Sequence, residues 1–139
     1  MANLRTSLVL TASFVDSEVI TLVHPISAVV LDLTYTRGAD GGYMAFRLLE
    51  SLDGERWTYV TVQDTALTVT APFAAQRFHV GQWGGPAPVN GSALNFSSPL
   101  IKVSPLAKLL KAQFAEVGVA GTPGILAAAI YTARASERV

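Results

Sequence analysis

The sequence predicts an all-β chain: an antiparallel two-sheet β-sandwich, jelly-roll-like, with at most one short helix. Three observations carry this. Residues 27–35 alternate with period two, Val29, Leu31, Leu33 and Tyr35 against Val30, Asp32 and Thr34, as a strand with one buried face requires. Residues 43–62 are two strand-like runs meeting at Asp53-Gly54, a pair that supplies the positive-φ corner of a tight β-turn. Turn signals then recur between about eight to ten short apolar runs, the spacing of a sandwich rather than of βαβ units.

The hairpin is the organising element. Pairing about Gly54 puts Met44, Phe46 and Leu48 on one face with Val60 and Val62, and Arg47, Ser51, Trp57 and Tyr59 on the other. An even loop would mix the two sets, so an odd loop is expected, with Gly54 in a left-handed bulge position. One face is dry and the other amphipathic.

Before the hairpin, Leu8, Leu10, Ala12 and Phe14 alternate with Ser7, Val9, Thr11 and Ser13 as a first strand. That alternation outweighs the faint likeness of the start to a signal peptide. Asp16-Ser17 reads as a turn, and residues 18–23 as a second short strand closed by His24-Pro25, since proline removes a ladder donor. Residues 37–42, half of them glycine, form a loop into the hairpin. Beyond it, Gln63-Asp64 reads as a turn, residues 66–70 and 75–80 as short strands, and the Gly/Pro-rich residues 81–92 as a long loop carrying Trp83. Residues 94–103 return to strand character despite Pro99.

Residues 104–117 are ambiguous. Ser104 suits a helix cap, Pro105 a first turn, and Leu106, Leu109, Leu110, Phe114 and Val117 share a helical face ended by Gly118. Yet Lys108 and Lys111 come early and Glu116 late, against the helix dipole, and Leu110, Ala112 and Phe114 also alternate. Residues 125–133, after Gly121-Thr122-Pro123-Gly124, close the set as a strand. Residues 1–6 and 134–139 are expected to be terminal arms on a single domain spanning 1–139.

The totals bound the function. A chain of 139 residues makes one domain, able to bury about two-thirds of its unfolded surface. It is 50% hydrophobic and only 14% charged, against a usual charged share of about 25%. Such an excess predicts apolar surface covered by other subunits, hence a homo-oligomer. Ten basic residues cancel ten acidic ones, so no nucleic-acid partner is expected. Residues 19–33, broken at His24-Pro25, are too short to cross a bilayer, and no membrane partner is expected. There is no cysteine, which excludes disulfides, thiolate zinc sites and a cysteine nucleophile.

No catalytic, cofactor or metal site is expected. His24 and His79 lack a neighbouring ligand at metal-binding spacing. No Gly-x-Ser-x-Gly elbow occurs. Asp32, Asp40, Asp53 and Asp64 fall on separate elements, with Asp53 a turn former and Asp40-Gly41-Gly42 short of a calcium loop's oxygens. The candidate contacts are aromatic: Trp57 and Tyr59 with Arg47, as a platform for a partner chain or a sugar ring, and Trp83 in its loop. Against each stands ordinary packing on the sheet, which aromatics also favour.

Residues 31–38, then Arg47 through Ser51 with Asp53, Gly54 and Trp57, then Val117-Gly118 before Pro123-Gly124, resemble in order the small β-sandwich virion structural proteins of tailed bacteriophages, of head-decoration or neck and tail type. The likeness covers residues 28–133, and Ser-x-Asp-Gly-x-x-Trp also occurs in carbohydrate-binding sandwiches. The long loop at 81–92 departs from the pattern. The resemblance implies that residues 109–117 are a strand. It also implies a non-enzymatic subunit, made in the host cytoplasm and resident in the virion, with capsid or tail subunits as partners and no cofactor. The alternative is a carbohydrate-binding module using the exposed aromatics.

Overall fold

The structure, a computed structural model, describes residues 2–36, 38, 43–66, 75–80, 101–118 and 122–134, with backbone only at Ser7, Ser27, Tyr43, 61–66, 75–80 and Arg134. Within them the chain forms β1 (Ala2–Val9), β2 (Val15–Asp16), β3 (Ile20–Thr21), β4 (Ile26–Thr36), β5 (Tyr43–Ser51), β6 (Trp57–Ala66), β7 (Ala75–Val80), β8 (Ile101–Lys102), β9 (Leu109–Val117) and β10 (Ile125–Arg134). Among the described residues there is no helix.

Two five-stranded sheets result. Sheet A runs β1-β10-β4-β7, with β8 also on β4, and sheet B runs β2-β9-β5-β6, with β3 also on β9. Every pairing is antiparallel. The pairs nest about the hairpin turn: β5 with β6, β4 with β7, β2 and β3 with β9, and β1 with β10. The chain is one long hairpin rolled up from its tip, the strand order of a jelly roll.

Sequence alternation explains the core. Leu31, Leu33 and Tyr35 of β4, Phe46 and Leu48 of β5, Leu110 and Phe114 of β9, and Leu126 and Ile130 of β10 are buried between the sheets. Each such side chain contributes about 1.5–3 kcal/mol relative to exposure. The ambiguous segment is a strand over Leu109–Val117, paired on both sides. The capping signals before it are used in a single turn: Ala107 N donates to Ser104 O at 3.0 Å and Leu106 N to Ser104 Oγ at 3.2 Å. Two ladders and a buried Leu110, Ala112 and Phe114 outweigh what one cap contributes.

The hairpin turns about Gly54, which has φ 83°, with Ser51 opposite Trp57. A bulge between Leu48 and Leu49 then shifts the register. Val60 becomes the extra residue, still packed on the core, and Val62 stands opposite Arg47 rather than Phe46. Other boundaries also differ from the expectation: the strand expected at 18–23 is confined to Ile20–Thr21, and Arg134, expected in the C-terminal arm, ends β10. Gln63-Asp64 is not a turn but part of β6, because β5 continues as its partner to Tyr43. Asp16 lies in β2 and not at a turn. Residues 10–14 are not strand: Leu10 N bonds instead to Gly124 O and Thr11 O accepts from Glu116 N, so the chain crosses between sheets there. Ala2 to Thr6 are not a free arm but belong to β1, held by β10. Residues 67–70, the loop 81–92 with Trp83, residues 94–100 and the terminal residues 135–139 lie outside the described residues.

Candidate functional site

The outer face of sheet B is built by side chains whose strand neighbours point inward. In β5, Arg47 and Leu49 alternate with the buried Phe46 and Leu48, and in β9, Lys111 and Gln113 alternate with Leu110, Ala112 and Phe114. Register then sets three rows across the sheet: Asp16, Gln113, Arg47 and Val62; Lys111, Leu49 and Tyr59; and Leu109, Ser51 and Trp57. Arg47, Trp57 and Tyr59 therefore share one face. Ser51, expected on the same amphipathic face, is buried; its Oγ accepts from Gly54 N at 2.7 Å and so serves the turn.

Arg47 is the centre of this face. Its guanidinium carbon sits 3.7 Å from the Phe14 ring centroid and 5.4 Å from that of Tyr59, both within cation–π range. Nη1 donates to the Tyr59 hydroxyl at 3.3 Å. Nε is buried and finds no acceptor among the described residues. Tyr59 itself is 59% exposed.

A second cation lies beside it. Lys111 Nζ stands 4.4 Å from the Trp57 centroid and 3.1 Å from Asp16 Oδ2, so one face of the indole is already occupied. Asp16 Oδ1 also accepts from Gln113 Nε2 at 2.8 Å. The Gln113 hydrogen bond, and after it the Lys111 ammonium, hold the Asp16 carboxyl below its usual range despite some opposing burial. At the hairpin tip, backbone N–H groups of Arg56 and Glu55 do the same for Asp53.

The remaining candidates are dispersed. His24 is exposed, and His79 stands in β7 opposite Asp32 of β4. Among the described residues no group of three or more His, Asp or Glu is placed to hold a metal ion. Phe14, Asp16 and Lys111 are members of the Arg47 face that sequence reasoning did not name; no local signal marks them, since they meet only through the pairing of β2, β9 and β5. No known family, curated protein or solved structure matches the chain.

Proposed function

We propose that the chain is a non-enzymatic structural subunit of a tailed-phage particle, a decoration, neck or tail component that works through homo-oligomeric and lattice contacts. The observation that carries this reading is an apolar rim. Leu8, Val9, Val15, Val19 and Val23 are all exposed, and they lie on the stretch that forms the outer strand of sheet A (β1) and then of sheet B (β2 and β3). Ile125, opposite Val9, extends the rim. Glu18 N bonds to Leu4 O at 3.0 Å, which ties the β1 edge of sheet A to the β2–β3 edge of sheet B.

Exposed clusters of this kind favour burial against another chain, at about 25 cal/mol per Å² covered. Repetition around a particle adds avidity without strong individual contacts. Jelly rolls serve capsid and lectin domains alike, so the particle assignment leans on the motif resemblance at Leu31, Ser51, Asp53, Gly54 and Trp57. A glycan-binding reading is favoured less, because Lys111 covers one face of the Trp57 ring and the open aromatics among the described residues, Tyr59 and Tyr131, lie on different sheets.

The test is solution mass by light scattering over a wide concentration range, for the natural sequence and for Val9→Asp and Val19→Asp. A trimer or larger assembly that dissociates in the two variants supports the reading. A monomer at every concentration removes the argument from the rim, and a glycan array then decides the alternative.

A further inference from the structure

The tip of the hairpin holds a chemically reactive pair in an unreactive pose. In an Asp-Gly sequence the glycine has no Cβ, so its amide nitrogen can reach the carboxyl carbon of the residue before it. That nitrogen loses its proton and bonds to Cγ, water leaves from the carboxyl group, and a five-membered imide results. Water then reopens the ring at either carbonyl. One opening restores Asp, and the other leaves isoaspartate, whose backbone runs through the former side chain and is one methylene longer. Asp53 and Gly54 are both exposed, so water reaches the pair.

Their hydrogen bonds oppose the reaction. Gly54 N, the nucleophile, donates its proton to Ser51 Oγ at 2.7 Å. Asp53 Oδ1 accepts from Glu55 N at 2.8 Å, from Arg56 N at 2.9 Å and from Ser51 Oγ at 3.3 Å. The carboxyl is therefore turned toward the N–H groups beyond Gly54, and rotating Cγ onto Gly54 N breaks those bonds. The N–H groups of Arg56 and Glu55 also hold the carboxyl below its usual range, whereas the neutral acid is the form that loses water readily. Ser51 is buried, and its backbone oxygen accepts from Lys108 N at 2.9 Å, so the hydroxyl is positioned by the chain entering β9 as well as by the turn.

We propose that Asp53-Gly54 is a modification site, a position of spontaneous isoaspartate formation that the fold holds closed with Ser51 as its latch. It opens when the tip comes apart. The consequence reaches past the turn, because an added methylene between Ser51 and Trp57 alters the loop that sets the register of β6 on β5. A chain modified before it folds has lost the tip from which the roll is nested. This inference does not depend on the assembly reading.

The experiment incubates the full chain at neutral pH, folded and in guanidinium chloride, and reads isoaspartate in tryptic fragments by chromatography and enzymatic methylation. Cleavage after Arg47 and Arg56 isolates Asp53-Gly54 in one fragment. Asp40-Gly41 and Asn90-Gly91, outside the described residues, fall in other fragments and are read separately. Expected is isoaspartate at position 53 in denaturant, and formation at least about tenfold slower in the folded chain, the factor that one lost hydrogen bond accounts for. Ser51→Ala, with its sheet intact by circular dichroism, should recover about that tenfold. Should Ser51→Ala unfold, Asp53→Asn decides, since its amide oxygen still accepts from Glu55 and Arg56 and its imide forms by loss of ammonia, read as a mass gain after hydrolysis. Slow deamidation of folded Asp53→Asn beside rapid deamidation in denaturant supports the latch. The proposal is overturned if position 53 forms isoaspartate equally fast folded and unfolded, or in neither state. It is also overturned if folded Ser51→Ala reacts no faster than the natural sequence, or if folded Asp53→Asn deamidates as fast as in denaturant.

Discussion

The Tyr35 hydroxyl, on β4 of sheet A, donates to Oε2 of Glu116, on β9 of sheet B, so the two sheets are joined by a polar bond through their shared interior. The other carboxylate oxygen accepts from Gly124 N at 2.7 Å. Both side chains are buried, and a buried acceptor that loses its donor costs about 1–3 kcal/mol. Tyr35→Phe should therefore lower stability by about that amount in urea unfolding. Combining it with Glu116→Leu should cost less than the sum of the two single changes, because the pair is removed together. Additive losses would mean that the bond carries no coupling.

Gly124 sits where this network meets the β4 backbone. A Cβ there would lie 2.7 Å from Thr36 O and 2.6 Å from the Tyr35 ring, so the strand or the ring would have to give way. Gly124→Ala should cost about 1–3 kcal/mol by overpacking. Gly54→Ala is a different case, since the nearest atom is a flexible Leu109 Cδ1 at 3.4 Å and the difficulty is φ 83° alone. It should cost about 1 kcal/mol. Thermal unfolding of the two variants separates the mechanisms, and equal losses would contradict the crowding argument at Gly124.

These two sites also mark what could be read in advance. Alternation in residues 29–35 located β4 and its buried face, and Asp53-Gly54 located the tip from which the whole roll is nested, because both signals are local. The choice of strand for Leu109–Val117 needed more than local signals, since Ser104 and Pro105 do form a turn and only the ladders on either side decide against a helix. The link between Tyr35 and Glu116 spans 81 residues and has no sequence signature. Arg47, Trp57 and Tyr59 were legible as one face because they lie on one hairpin. Phe14, Lys111 and Asp16 were not, because they arrive from other strands. A one-residue bulge at Val60 likewise leaves no mark in the composition of β6.

Arg5 closes the bulges of β1. Its Nε donates to Leu126 O at 3.0 Å, and its Nη2 to Leu8 O and Val9 O at 3.1 and 2.9 Å, where the register of β1 on β10 slips. One side chain thus donates to three carbonyls where the register slips. Arg5→Met keeps the stem and removes the donors. It should cost about 1–3 kcal/mol and, more specifically, speed amide exchange in β1 while β5 and β9 stay protected. Uniform loss of protection across both sheets would show that Arg5 supports the fold globally and not this edge.

Two carboxyls add to the acid sensitivity of stability. Asp53 is held below the ordinary 3.8 by the backbone N–H groups of Arg56 and Glu55, and Asp16 by Gln113 and then Lys111. Unfolding returns both to the ordinary value, so in the window between the two the unfolded chain binds more protons and stability rises with pH. Their contribution is complete above the ordinary value and is lost as pH falls through the lower folded ones. Urea midpoints measured from about pH 6 down to about pH 2.5 should fall below about pH 4 and recover on return. Asp53→Asn retains an oxygen for the Glu55 and Arg56 N–H groups yet cannot titrate, so it should keep much of the neutral-pH stability while flattening the acid slope. An unchanged slope in both Asp53→Asn and Asp16→Asn would assign the acid sensitivity to other carboxyls.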